Sequence, residues 1–170
     1  MNKQALAYTD ELVDVLIDEL GLAKDIPVIS TGGSMGGQSA LVYTAYSKHN
    51  VVSCVTNCPV CDMVFHYDER EDLPRTIYSA IFNEKCSLDE ALRAISPLHL
   101  LDKMPRVKYH IFHCDSDKAV NINVHSDRLV GAMKEKSFDV TYDVVKGRGH
   151  CDLSLEAKRK FSEYVLGSVR

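Results

Sequence analysis

Residues 26–37, IPVISTGGSMGG, decide the fold of this chain. The first six are mostly apolar and rich in β-branched side chains, which is typical of a short buried strand. The next residues contain the pattern G-x-S-x-G, from Gly32 to Gly36, and residues 38–48 then predict a helix. A strand that turns sharply into a helix through this pattern holds its serine, here Ser34, in a strained backbone with an exposed hydroxyl. We therefore predict a nucleophile elbow at Ser34.

Two other interpretations of these glycines remain open. The glycines could simply let a helix pack closely on a strand, or the loop could bind phosphate. No Lys-Ser or Lys-Thr pair directly follows them, however, and the chain contains no G-x-G-x-x-G, so the familiar phosphate-loop patterns are absent. The start of a helix also directs backbone N–H groups at developing negative charge. We therefore predict that the N–H of Met35 is an oxyanion-hole donor.

Strands and helices alternate through the rest of the chain. Apolar runs rich in β-branched and aromatic residues predict three more strands, at residues 51–56, 107–113 and 138–145. Helical spacing of apolar residues predicts helices at residues 12–20, 124–136 and 153–165. This alternation predicts an α/β fold, with a parallel sheet of about four strands flanked by helices. A length of 170 residues suits a single domain, residues 1–170.

Residues 58–99 interrupt this alternation. Two helical periods and a Ser87-x-x-Glu90 capping box predict a helical insertion there. The charged run at residues 68–72 within it is typical of a solvated face. We expect the insertion to act as a cap over a substrate pocket.

A serine nucleophile needs a base and a residue that orients the base. His150 suits the base role, since histidine titrates near neutrality, and it ends the loop GRGH after the fourth predicted strand. Asp117 follows the third predicted strand, and Asp115, two residues earlier, is its rival. Because active sites of parallel sheets lie outside the carboxyl ends of the strands, we expect Ser34, one of these two aspartates and His150 to meet there.

These motifs together resemble the α/β-hydrolase superfamily, in which the elbow, a D-x-x-V segment and a G-x-G-H loop supply a catalytic triad. Residues 117–120, DKAV, match D-x-x-V, so the resemblance assigns the orienting acid to Asp117. The stretch GGSMGG, together with Ser-Pro-Leu at residues 96–98, is similar to the esterase and prolyl-oligopeptidase-like branches. At Cys114, after His113, the family often has a glycine, so the chain departs from the pattern there.

The resemblance also implies strands that this chain lacks. Members of the superfamily usually have several strands before the elbow strand, and a loop among them gives a second oxyanion donor. Only one predicted helix precedes residue 26, so we expect a truncated α/β-hydrolase fold with no evident second donor. The strand at residues 26–31 would be an exposed apolar edge, which invites pairing. We therefore expect a homo-oligomer, or a partner chain that covers this edge.

The composition excludes several other classes of protein. A hydrophobic fraction of 45% and a charged fraction of 26% are those of a globular protein. The net charge is -4 and the basic residues are scattered, so we expect no nucleic-acid partner. No apolar run approaches the roughly 20 residues that span a bilayer. The first 12 residues lack a signal-peptide pattern, so we expect a cytoplasmic protein with free thiols at its six cysteines.

The motifs favour a serine hydrolase that cleaves a carboxylic ester through an acyl-enzyme on Ser34, without a metal or organic cofactor. Three alternatives stay open. The chain could be a prolyl-oligopeptidase-like serine peptidase, or a truncated, weakly active hydrolase fold used for binding or assembly. Cys58 and Cys61 have the spacing of a thiol redox motif, although no thioredoxin-like pattern precedes them.

Overall fold

A four-stranded parallel sheet forms the centre of the molecule, with the strands in the order β1-β2-β3-β4. The computed structural model describes residues 1–83 and 85–167. The strands are β1 (Val28–Gly33), β2 (Val51–Asn57), β3 (Lys108–Cys114) and β4 (Val140–Val145). The helices are α1 (Lys3–Glu19), α2 (Met35–Tyr46), α3 (Met63–Asp68), α4 (Leu73–Ile81), α5 (Leu88–Ala94), α6 (Ser126–Glu135) and α7 (Leu155–Gly167). The predicted α/β fold with four parallel strands is confirmed.

Burial of each strand follows its place in the sheet. The central strands β2 and β3 are buried along almost their whole length, whereas β1 and β4 are partly exposed. Helices α2 and α6 contribute to a hydrophobic cluster with one set of strand residues, including Cys54 and Ile111. Helix α7 packs on the alternate set, including Val55 and Phe112. Both faces are thus covered, which explains why these strands read as continuous apolar runs rather than alternating ones.

The elbow strand and its helix begin at different residues from those predicted. Strand β1 extends through the glycines, because Gly32 and Gly33 still pair with Thr56 and Asn57 of β2. Helix α2 then begins at Met35, three residues earlier than the sequence pattern indicates. Among the described residues, β1 pairs with β2 alone and lies at an edge of the sheet. The expected pairing of another chain with this edge stays a prediction.

Helices α3, α4 and α5 lie between β2 and β3 in the chain and share a hydrophobic cluster of their own. The capping box is present, since Ser87 and Glu90 bond to each other's backbone N–H groups. The prediction that residues 68–72 form a solvated face is wrong for Glu69. Its side chain is only 14% exposed and contacts two histidines. Within the part of the chain that the structure describes, no helix combines the length and apolar character needed to cross a bilayer.

Candidate active site

Ser34 occupies the turn between β1 and α2 in a strained conformation. Its φ is 55° and its ψ is -127°, a backbone region that residues with a side chain rarely adopt. Three hydrogen bonds hold this turn. The Ser34 N–H donates to the carbonyl of Asn57, and the Ser34 carbonyl accepts from the N–H groups of Gln38 and Val60. These hydrogen bonds with the end of β2 and the start of α2 therefore offset the energetic cost of the strained backbone.

Two glycines make the sharp turn sterically feasible. A Cβ atom on Gly32 would lie 2.3 Å from the carbonyl oxygen of Gly36. A Cβ atom on Gly37 would lie 2.9 Å from the Cβ of Pro59, which follows β2. Both distances are too short for real Cβ contacts, so helix α2 can fold back on the sheet only with glycine at these positions. The backbone of this turn therefore requires glycine on both sides of Ser34.

The structure brings the three predicted site residues together at the carboxyl ends of the strands. His150 Nε2 lies 2.9 Å from Ser34 Oγ, and His150 Nδ1 lies 2.7 Å from Asp117 Oδ2. An ionised carboxylate only accepts hydrogen bonds, so Nδ1 carries the proton and Nε2 presents a lone pair to the serine hydroxyl. The His150 side chain is 30% exposed, whereas that of Asp117 is fully buried. This arrangement can accept a proton from Ser34.

Asp117, rather than Asp115, contacts His150. The Oδ1 atom of Asp117 accepts the N–H groups of Ala119 at 2.8 Å and Val120 at 3.0 Å. Burial by itself would raise the pKa of the Asp117 carboxyl, but the bonds from His150 and from these two N–H groups outweigh it and lower the pKa. Asp117 therefore stays ionised at neutral pH.

Asp115 has a different position at the same edge of the sheet. Its Oδ1 accepts the N–H of Gly147 at 2.6 Å, and that bond lowers the pKa of its carboxyl. Gly147 lies in the loop that carries His150. Asp115 therefore stabilises this loop without taking part in the hydrogen bonds that join Ser34, His150 and Asp117.

His113 supports the loop that carries Asp117. Its Nε2 lies 3.1 Å from the Val120 carbonyl, and its Nδ1 lies 2.6 Å from Ser126 Oγ. Burial lowers the pKa of the His113 imidazole, which keeps the ring neutral. These contacts make His113 a structural residue of this loop.

Helix α2 begins directly after the serine, with its N-terminal N–H groups beside the site. Gln38 donates the first bond that closes a turn of this helix, to the Ser34 carbonyl. The N–H groups of Met35, Gly36 and Gly37 precede that bond and have no acceptor within the helix. They can therefore face a negatively charged oxygen near Ser34.

Cys58, and Cys151, which the sequence motifs did not single out, also reach this site. Cys151 Sγ lies 3.8 Å from His150 Nε2, and the N–H of Cys151 donates to Cys58 Sγ at 3.4 Å. Cys58 and Cys61, the suspected redox pair, instead belong to different hydrophobic clusters. The position of Cys151 directly after His150 was the available signal for its place in the site. Within the described residues, three groups of His, Cys, Asp or Glu side chains bring ligand-type atoms close enough to hold a metal ion, and two of these groups include His150 or Asp117.

Comparison with known proteins gives the family of the chain. A model of the prolyl oligopeptidase family matches residues 10–167. No curated protein matches the chain in sequence at a significant level. Since the family match covers most of the chain, the chain belongs to the prolyl oligopeptidase family.

Solved structures share this fold at low sequence identity. A puromycin hydrolase is similar with a TM-score of 0.74 and 20% identity, over 92% of this chain and 23% of its own length. A truncated carbohydrate esterase from gut microbiota has a TM-score of 0.69 and 17% identity, over 98% of this chain and 68% of its own. Esterase 2 of Thermogutta terrifontis has a TM-score of 0.60 and 18% identity, over 81% and 54%. The fold is therefore that of the α/β-hydrolases, and the chain spans less than a quarter of the puromycin hydrolase's length.

Proposed function

We propose that this member of the prolyl oligopeptidase family is a serine hydrolase that cleaves a carboxylic ester through an acyl-enzyme on Ser34. One observation carries the proposal: the hydrogen-bonded chain from Ser34 Oγ through His150 to the buried carboxylate of Asp117. The contacts supply a nucleophile, a base in the correct tautomer and a fixed negative charge behind it. The strained backbone of Ser34 adds support, because such strain concentrates at functional sites.

In the proposed reaction, Ser34 Oγ attacks the ester carbonyl carbon while its proton passes to His150 Nε2. Asp117 stabilises the imidazolium that forms and keeps the ring oriented. The N–H of Met35 donates to the oxygen that becomes negatively charged. His150 then gives its proton to the alcohol oxygen as the carbon–oxygen bond breaks. Water, activated by the same imidazole, attacks the acyl-enzyme, releases the carboxylic acid and restores the Ser34 hydroxyl.

Two observations favour different substrates for this site. Similarity to a carbohydrate esterase and to esterase 2, over 98% and 81% of this chain, supports an ester substrate. Family membership supports the second candidate, a peptide bond whose nitrogen takes the proton from His150. The helical segment at residues 58–99 would act as the cap that selects between them. We place the ester first.

Labelling with a fluorophosphonate probe tests the proposal. We expect covalent labelling of the wild-type chain and none of Ser34→Ala or His150→Ala. Ser39→Ala is the matched control, since Ser39 lies on helix α2 five residues beyond the elbow and its hydroxyl donates to Gln38 Oε1. Labelling that persists in Ser34→Ala, or a folded wild type that takes no label, would overturn the assignment. Rates on short-chain nitrophenyl esters and on aminoacyl amides then separate the two substrate classes.

A further inference from the structure

Three groups of side chains in the described residues bring ligand-type atoms within 4.8 Å of one another: Cys58/His150/Cys151, Cys58/His113/Asp117 and His66/Glu69/His125. A histidine binds a metal only through a ring nitrogen that has a free lone pair. Hydrogen bonds to the other nitrogen decide which lone pair is free. The tautomer of each histidine therefore decides which group can hold a cation.

The group around Glu69 fails this requirement. His125 Nδ1 lies 3.1 Å from the backbone nitrogens of both Cys61 and Asp62, whose N–H groups it accepts. Its proton is therefore on Nε2, which donates to Glu69 Oε2 at 3.2 Å. Both nitrogens of His125 are used, so this residue links the helical segment to the start of α6 and offers no lone pair to a metal.

The group around His113 fails for the same reason. A carbonyl only accepts, so the bond between His113 Nε2 and the Val120 carbonyl places the proton on Nε2. Nδ1 then accepts from the hydroxyl of Ser126 at 2.6 Å. No lone pair of this buried ring is left for a metal.

His150 has the opposite arrangement. Its Nδ1–H donates to the Asp117 carboxylate, and its Nε2 lone pair faces Ser34 Oγ at 2.9 Å. The His150 ring is 30% exposed whereas His113 is fully buried, so a cation can reach this lone pair in place of the Ser34 hydroxyl hydrogen. A carboxylate behind a histidine is also the usual second partner of a zinc-bound imidazole, where it fixes the tautomer and raises the basicity of the ring. The pair that orients the proposed base is thus also a preformed metal ligand.

Cys151 Sγ stands at the distance that a shared zinc ion requires. Zn–S bonds of about 2.3 Å and Zn–N bonds of about 2.0 Å in a tetrahedron place sulfur and nitrogen roughly 3.5 Å apart. Cys151 Sγ and His150 Nε2 are 3.8 Å apart. Cys58 Sγ completes the group within 4.8 Å, and Ser34 Oγ, 2.9 Å from the same nitrogen, offers a fourth ligand. Three sulfur and nitrogen ligands with a fourth oxygen suit Zn²⁺.

The surroundings of Cys58 favour a thiolate once a cation is present. The N–H groups of Cys114 and Cys151 both donate to its sulfur at 3.4 Å. Burial nevertheless raises the pKa of both Cys58 and Cys151 to about 12, so without a cation both are neutral thiols. Neither competes with Ser34 as a nucleophile in that state. Cys58 and Cys151 also have positive φ angles, 47° and 56°, so the backbone itself is strained to place them here.

We propose that Cys58, Cys151 and His150 form an inhibitory zinc site, in which Zn²⁺ binds the two sulfurs and the Nε2 atom that serves Ser34. Binding releases the two thiol protons to water and uses the lone pair of the base. The bound cation blocks proton transfer from Ser34 and stops the hydrolase. The binding depends only on the contacts described above, whereas the inhibition rests on the proposed function.

The first test measures binding without reference to activity. Reduced protein is titrated with Cd²⁺, whose bonds to thiolates give an ultraviolet charge-transfer band, and with Zn²⁺ in competition with a chromogenic chelator. We expect one ion per chain, and affinity that rises with pH because two thiols must lose their protons. Cys151→Ser should lose the Cd²⁺ band and weaken Zn²⁺ binding by at least about tenfold, and Asp117→Asn by about 10- to 100-fold.

Matched controls separate this site from adventitious binding. Cys86→Ser removes an exposed thiol of the helical segment and should leave affinity unchanged. Ser34→Ala should keep the Cd²⁺ band. That result would show that the metal site does not depend on the nucleophile. Because Cys58 is fully buried, Cys58→Ser could disturb the fold, and circular dichroism checks that this variant is folded. If it does not fold, the result for Cys151→Ser decides the test, since Cys151 is only half-buried. Binding that Cys151→Ser leaves intact, or that Cys86→Ser removes, overturns the proposal.

The second test measures ester hydrolysis with and without Zn²⁺ in each variant. We expect Zn²⁺ to inhibit the wild type, a chelator to restore the rate, and Cys151→Ser to lose most of the inhibition. A wild type that binds Zn²⁺ through Cys151 but hydrolyses no ester in its absence contradicts the proposed function and leaves the metal site standing. A wild type that binds Zn²⁺ there at full activity overturns the inhibitory role.

Discussion

Two of the histidine–carboxylate pairs among the described residues, His150–Asp117 and His125–Glu69, are built in opposite ways. In the first pair the carboxylate of Asp117 is fully buried and His150 is 30% exposed. In the second pair His125 is fully buried and Glu69 is 14% exposed. The ring of His150 turns a lone pair towards Ser34, whereas both nitrogens of His125 are occupied within the protein. A histidine beside a carboxylate is thus a base only if its second nitrogen is left free.

The largest effect is expected when the negative charge of Asp117, behind the imidazole of His150, is removed. Asp117→Asn should lower kcat by about 10⁴-fold, because the amide would favour the wrong tautomer of His150. Rates of ester hydrolysis at saturating substrate measure this loss. Asp115→Asn is the control, since its side-chain oxygen can still accept the N–H of Gly147. A larger loss in Asp115→Asn than in Asp117→Asn would move the role of the acid to Asp115.

The chain order of strands and loops explains why the sequence could predict the first pair. Ser34, Asp117 and His150 each follow a strand whose apolar pattern is clear, and parallel topology brings the ends of such strands to one edge. Neighbouring strands in the chain are also neighbours in the sheet, so no crossing rearranges the loops. The local pattern and the topology therefore lead to the same site.

The sequence could not predict the second pair or the cysteine cluster. Glu69 stands in a run of charges that resembles a solvated face, and only the packing of α3 against the start of α6 buries it. Cys58, directly after β2, and Cys151, in the loop after β4, are 93 residues apart, and the N–H of Cys151 donates to Cys58 Sγ. Such contacts depend on the register and twist of the finished sheet, and no local spacing encodes them.

A smaller effect is expected from the second pair, on stability and not on catalysis. Glu69 Oε2 accepts from His66 and His125, and Oε1 accepts the N–H of Asn121. In Glu69→Gln, the side-chain NH₂ would replace one of the two carboxylate oxygens. That NH₂ would face an N–H donor and leave it without an acceptor. We expect a loss of about 1–3 kcal/mol in the free energy of unfolding, the usual cost of an unsatisfied buried group.

Urea unfolding measures the stability of Glu69→Gln, and kcat/KM should stay within about tenfold of the wild type, or roughly 1.4 kcal/mol in the barrier. Glu71→Gln is the matched control, because Glu71 is an exposed carboxylate in the same charged run. A fall in kcat/KM comparable to that of Asp117→Asn, in protein that remains folded, would erase the distinction between the two pairs.

The smallest effect is a pH dependence of stability that the second pair contributes. Burial is the main cause that lowers the pKa of His125, against the opposing influence of Glu69, with smaller effects of His66 and Asp62. His125 is therefore protonated near pH 6.5 in the unfolded chain, whereas in the folded chain it takes up a proton only at lower pH. The contribution of His125 is fully present above about pH 6.5 and is lost as the pH falls below that value.

His125→Asn sharpens this test, because an asparagine oxygen can still accept the N–H groups of Cys61 and Asp62 but does not titrate. We expect the free energy of unfolding of the wild type to fall more steeply below about pH 6.5 than that of His125→Asn. The difference should be at most one proton, about 1.4 kcal/mol per pH unit. His113, whose pKa burial also lowers, contributes the same slope to both proteins and cancels in their difference. Equal slopes would mean that His125 takes up its proton in the folded state, and that enclosure by the protein does not distinguish it from an exposed imidazole.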